Sequence, residues 1–223
     1  MATVTLAMLV LLLTPAPQGP APAGDPPAIA CRFESHGRSG AHDDPTPHPL
    51  LFWRQAGRVE VQDVAAGTGE LWLRDAEGRL TWMRLFHEDR RVIEHVSADL
   101  AILDRTDAWP RVASLVDEGV LARLTDRGGR RAMGWAARLY SGEIDGIRTE
   151  VTWIPELSVP ARIVRHLPSG RQKLVLAETH AIEDAPFAPP DSSSYEVIDF
   201  ADIGDKENDP FLQRVLARDG HQH

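Results

Sequence analysis

Between residues 58 and 96 the chain alternates apolar and polar positions with a period of two. Arg58-Val59-Glu60-Val61-Gln62 alternates strictly, and Glu70-Leu71-Trp72-Leu73-Arg74 has an apolar core with charged ends. Arg79 to Leu85 follows after the turn Asp75-Ala76-Glu77-Gly78, and Arg91 to Val96 after His87-Glu88-Asp89-Arg90. Short runs of this kind, joined by a few turn residues, predict an antiparallel meander. Phe52, Trp72 and Trp82 supply the large residues of its buried face. The period then changes. Asp107 is a cap with Pro110 near the first turn, and Val112, Leu115, Val116, Val120, Leu121 and Leu124 follow at steps of three and four. That spacing predicts helix, split in two at Gly119 and ended by Asp126-Arg127-Gly128-Gly129. Strands resume over 131–140, broken at Gly134, and over 146–154. The strands 159–167 and 171–179 form a hairpin through Pro168-Ser169-Gly170, and 195–203 is a further strand. Asp209-Pro210 opens a last helix with Phe211, Val215 and Leu212 turned inward.

Connections this short exclude parallel crossovers, which need a dozen or more residues. The expected fold is therefore α+β and mainly β: an antiparallel sheet with a helical insert and a C-terminal helix. About eight or nine strands are expected, and a sheet that wide curls or closes. The fold class is a strongly curved sheet, an incomplete barrel.

The N-terminal region reads differently. Residues 4–13 are apolar and uncharged, half the ~20 residues a membrane span needs and the length of a secretory hydrophobic region. Ala21-Pro22-Ala23 fits a cleavage site, although no Lys or Arg precedes it. This predicts a signal peptide over 1–23, export to the periplasm, and no membrane span in the mature chain. Residues 14–49 hold nine of the 17 prolines and show no apolar periodicity. Residues 24–49 are accordingly expected to be a disordered linker containing Pro and His, ahead of a single domain over 50–219 and a flexible tail at 220–223. Cys31 in Ala28-Ile29-Ala30-Cys31 has a loose likeness to a lipoprotein box, but 17 residues separate it from the apolar run, and it reads as an unpaired thiol in the linker.

The net charge of −9 excludes a general nucleic-acid binder. One cysteine excludes an internal disulfide framework and any all-cysteine metal site. Lys173 and Lys206 are the only lysines among 24 basic residues.

The segment Thr152-Trp153-Ile154-Pro155-Glu156-Leu157-Ser158-Val159-Pro160-Ala161-Arg162-Ile163 resembles the LolA/LolB/RseB group of bacterial periplasmic proteins. There a strand ending in Trp and an aliphatic residue is followed by a turn, a proline and another strand. Element order extends the resemblance over residues 50–185, and motif detail over 151–176. The resemblance implies an incomplete, curved antiparallel barrel plugged by helices around an apolar cavity for acyl chains. The family also has an arginine inside the cavity, which the sequence does not locate among the arginines of this chain. The segment from Tyr195 to His223 has no counterpart in it.

Candidate chemistry is sparse. There is no G-x-S-x-G elbow, Ser192-Ser193-Ser194 is flanked by prolines, and Arg127-Gly128-Gly129-Arg130 lacks phosphate-loop spacing. The chain is expected not to be an enzyme, and a hydrolase with a site invisible in sequence ranks last. A curved sheet has a concave face, and Trp72, Trp82 and Trp153 are the candidate ligand-binding residues there, for an apolar acyl or lipoprotein-like ligand or an envelope partner protein. No cofactor is implied beyond a divalent cation. In the alternative reading the protein handles metal. His221 and His223, with Asp202 and Asp205 of the acidic segment 199–209, would then be the ligands. The simpler reading of that segment is capping: Asp209 starts the last helix, where negative charge is favoured. The molecule is expected to be a monomer.

Overall fold

The computed structural model describes residues 26–39, 42–43 and 47–220. The signal segment, His221 and His223 lie outside them.

Thirteen strands form one open, curved sheet. β1 (Ile29–Ser39) pairs with the two-residue β2 (His42–Asp43) and with β3 (His48–Gln55). From β3 the meander continues through β4 (Arg58–Asp63), β5 (Thr68–Arg74), β6 (Leu80–Phe86) and β7 (Arg91–His95). The second half is β8 (Thr125–Ala132), β9 (Trp135–Ile144), β10 (Ile147–Ile154), β11 (Val159–Leu167) and β12 (Gly170–His180). β13 (Glu196–Asp199) closes the order β13-β7-β6-β5-β4-β3-β1-β12-β11-β10-β9-β8. All pairings are antiparallel except β13 with β7, which is parallel and spans a connection of a hundred residues. Fold class and the insert-plus-terminal-helix arrangement are as the sequence implies.

The linker reading of 24–49 is corrected at its centre. β1 bonds to β3 on one side and β12 on the other, with Cys31 opposite both Phe52 and Thr179. Ile29, Cys31 and Phe33 are fully buried, alternating with the half-buried Arg32 and Glu34. Proline density misled the sequence reading, because the prolines flank this strand and do not interrupt it.

The insert is three short helices: α1 (Ser97–Ile102), α2 (Trp109–Ser114) and α3 (Glu118–Arg123). α1 was not anticipated. Its first turn is closed by the Val96 amide donating to Asp99 Oδ2 at 2.9 Å. Asp117, not Asp107, is the capping carboxylate, accepting from the Gly119 amide. Residues 126–129 do not end the helices but run on as β8. Residues 200–206 are a 3₁₀ helix rather than strand. α4 (Pro210–Gly220) follows, with Asp209 Oδ1 accepting from the Phe211 amide at 2.8 Å, as the capping reading requires. The insert shares the main core with the sheet through Leu100, Trp109, Val112, Val116, Val120 and Leu121. α4 buries Phe211, Leu212 and Val215 against Phe86, Ile93 and Ile198. No helix among the described residues is long and apolar enough to cross a membrane.

Candidate functional site

Strand register sets one row of side chains on the sheet's inner face: Ile29, Arg54, Val59, Trp72, Trp82 and His95, each opposite the next. Trp72 and Trp82 stack at 5.3 Å, Trp82 and His95 at 4.4 Å, and Phe200 covers His95 at 4.4 Å. Phe33 and Phe52 meet edge to face at 6.4 Å. The other half of the sheet contributes Trp153 to the same core. The three tryptophans proposed from sequence are thus brought into one core, but beneath the insert. Trp72 is 1% exposed, and Trp82 and Trp153 are 6% exposed. Their rings are covered by side chains and line neither of the two hollows described below.

The residue that sequence reasoning missed is Arg54. It continues the inward alternation Leu50, Phe52, Arg54, where a core would call for another apolar side chain. It is 1% exposed. Its guanidinium is satisfied by main-chain carbonyls from three separate segments. Nε donates to Pro27 O at 2.9 Å, Nη1 to Ala113 O at 2.6 Å and Ser158 O at 3.0 Å, and Nη2 to Leu157 O at 2.7 Å. Among the described residues no carboxylate pairs with it. Burial pulls its pKa down to about 10, an effect partly offset by the nearby Cys31 thiol. A planar fork with five donors can span such a set, whereas an ammonium cannot. Arg54 therefore ties α2, the turn between β10 and β11, and the lead into β1 to one point on the inner face. The sequence signal was a charge in phase with buried positions; its partners lie 27 to 104 residues away.

Further along the same face some of the polar groups are paired with each other. Trp72 Nε1 donates to Glu70 at 3.1 Å, and burial raises the Glu70 carboxyl above its ordinary range. Arg105 lies over the Trp82 ring at 4.6 Å. Arg84 forks onto Asp219 of α4 at 2.7 and 2.9 Å. Both ring nitrogens of His95 lack a hydrogen-bond partner. Burial first, and the Arg84 charge second, hold its pKa down at about 4, so the ring is neutral near pH 7.

Two of the hollows at the surface bear on this face. One, of about 620 Å³, lies at the end of the strands beside α1 and is lined by Gly57, Leu73, Arg74, Arg79, Val96 and Ser97, among others. Arg74 also sits 4.4 Å over the Trp109 ring of α2, at the boundary between hollow and insert. Gly57 is required there: its φ is +66°, and a Cβ would fall 2.7 Å from the Arg74 carbonyl. The other, of about 290 Å³, lies between Trp53, Arg58 and the segment carrying Phe187, whose carbonyl accepts from Trp53 Nε1 at 3.3 Å.

The metal candidates are not gathered. Asp202 and Asp205 are exposed on the 3₁₀ helix, while Asp199 caps it through the Ala201 amide at 2.9 Å. Asp209 accepts from Arg91 at 2.5 Å as well as capping α4. Among the described residues no group of three His, Cys, Asp or Glu side chains could hold a metal ion.

No family model matches the chain, and no curated protein matches it in sequence. Solved structures similar to it include PNGF-II, with a TM-score of 0.46 and 7% identity over 77% of this chain and 31% of that one. MucB is similar with a TM-score of 0.41 and 15% identity over 74% and 56%. A Vibrio parahaemolyticus domain assigned to outer membrane lipoprotein sorting has a TM-score of 0.33 and 10% identity over 74% and 88%. The chain spans about a third of PNGF-II and just over half of MucB.

Proposed function

We propose that the protein is a periplasmic, non-enzymatic binding protein that takes an apolar acyl group between its helical insert and the inner face of the sheet. The observation that carries this is Arg54. A guanidinium buried without a carboxylate carries a desolvation cost of several kcal/mol that an apolar side chain would not. Its value lies in reversibility. The carbonyls it holds on α2 and on the β10–β11 turn belong to short elements, and water can satisfy them when the insert lifts. Lifting uncovers Trp72, Trp82 and Trp153, and an acyl chain then replaces Trp109, Val112 and Val116 of the insert against those rings. The hollow beside α1, rimmed by Arg74 and Arg79, is the mouth through which the chain enters. The 151–176 resemblance supports the same reading, and the sequence of residues 1–23 supports the periplasmic setting.

The test is titration with fatty acids of eight to sixteen carbons, read by tryptophan fluorescence and by Tm. Each CH₂ removed from water contributes ~0.8 kcal/mol, so every two carbons added should tighten binding roughly fifteenfold until the site is full. Affinity and Tm that do not change with chain length would refute the proposal.

A further inference from the structure

The sheet ends at β8, and among the described residues no strand covers its outer side. Six of its eight residues are exposed. The hairpin to β9 turns through Met133 and Gly134, with φ of 51° and 87°. A two-residue turn with both φ positive makes the flanking residues a hydrogen-bonded pair. Ala132 and Arg130 therefore exchange bonds with Trp135 and Ala137, which they oppose. By the alternation of an antiparallel ladder, the N–H and C=O of Arg131 and Gly129 point away from the sheet. The backbone there has the form of a template for one more strand.

Its charge is opposite to that of the molecule. Arg127, Arg130 and Arg131 lie on this strand, and none is in an ion pair among the described residues. Arg127 donates to Ser141 Oγ at 2.8 Å and Arg131 to the Gly134 carbonyl at 2.6 Å. The one carboxylate on the strand, Asp126, is neutralised by Arg138. In a chain of net charge −9, three uncompensated guanidinium groups on an open edge form a local positive field. They flank the free backbone on both faces of the sheet. Cations on an edge strand repel basic strands, and they select an acidic one. The exposed Met133 and the half-buried Trp135 at the hairpin tip add apolar contact.

We propose that β8 is a docking edge for an extended acidic segment of a partner protein, which adds to the sheet as a strand beside Gly129–Ala132. Main-chain bonds to Gly129 and Arg131 supply the pairing, and the three arginines supply the selection. The outward backbone of this edge lies at the far end of the sheet order from β5 and β6, which carry Trp72 and Trp82, while Ala132 and Trp135 pack against the main core.

The experiment uses the full chain and a fluorescein-labelled decapeptide of alternating Glu and Val, read by anisotropy, with the Lys-Val peptide as control. The wild type should bind the acidic peptide and not the basic one. Arg130→Glu with Arg131→Glu should weaken binding at least tenfold, as should raising salt from about 50 to 500 mM. Arg131→Pro should bind several-fold more weakly than Arg131→Ala, because only the proline removes the outward N–H while leaving the ladder to β9 intact. Far-UV circular dichroism and Tm establish that each variant is folded. Binding indifferent to the Arg130/Arg131 reversal would overturn the proposal. Equal binding by Arg131→Pro and Arg131→Ala would overturn strand addition. Salt-sensitive self-association lost in the same reversal would show that the edge serves a second copy of this chain, and would overturn the acidic partner.

Discussion

Replacing Arg54 with methionine tests the latch directly. The side chain makes four contacts of 2.6–3.0 Å with carbonyls of Pro27, Ala113, Leu157 and Ser158. Charge-assisted bonds contribute ~1.5–3 kcal/mol each at accessible sites, so ~6–12 kcal/mol is an upper bound for the four. Against this stands the cost of taking a guanidinium out of water, several kcal/mol after relaxation. Methionine recovers that cost and fills most of the volume, but it leaves acceptors from three segments without donors, at ~1 kcal/mol or more each. The balance is a loss of ~2–4 kcal/mol. The loss should be local before it is global. α2 and α3 are short and are held to the sheet in part through Ala113, so residues 109–123 should lose hydrogen-exchange protection while β1 and β12 keep theirs. Urea melts give the total, and exchange followed by mass spectrometry gives its distribution. If opening is what an acyl ligand must overcome, the same variant should bind the longer fatty acids about tenfold more tightly for each 1.4 kcal/mol of opening cost removed. A variant as stable as the wild type, or one that loses protection evenly along the chain, would refute the latch.

His95 gives a pH prediction. Its folded pKa of about 4 lies below the ordinary 6.5, so the folded protein binds fewer protons between those values. Its contribution is complete above pH 6.5 and is lost as the pH falls toward 4, to a ceiling of ~3 kcal/mol. His95→Phe keeps the stack between Trp82 and Phe200 and should flatten the acid slope of the urea midpoint; equal slopes in both proteins would count against it. Burial pushes the Cys31 thiol up to about 11, so it should resist a disulfide reagent at pH 8 until the protein is unfolded. Rapid labelling of the native protein would mean that β1 detaches from the sheet.

The meander, the hairpins of the second half and the Asp209-Pro210 helix start were legible because each is a local pattern, carried by neighbours in sequence. β1 carried the same signal in Cys31 and Phe33, alternating with Arg32 and Glu34. It was hidden by prolines on both sides and by having one of its partners at β12, Cys31 and Thr179 being 148 positions apart. The tryptophans could be assigned to a core from their number, but whether that core was filled depended on α1 to α3 folding over it. Arg54 was unreadable for a different reason. Its partners are carbonyls, which every residue has, so no residue type elsewhere in the chain marks them.

The strand order has a consequence for how the molecule is made. Among the described residues, the halves β3–β7 and β8–β12 are joined by strand pairing only through β1, which precedes both in the chain. Each half can form from local contacts, but the join waits for residues 170–180, so closure of the sheet carries nearly the whole chain's loop entropy and should be the slow step of folding. Until then Ile29, Cys31 and Phe33 have half their neighbours missing and the polypeptide is not yet knit together. A chain moved across a membrane in the N-to-C direction would arrive unfolded by construction, and would lock into one body only when its last third had followed.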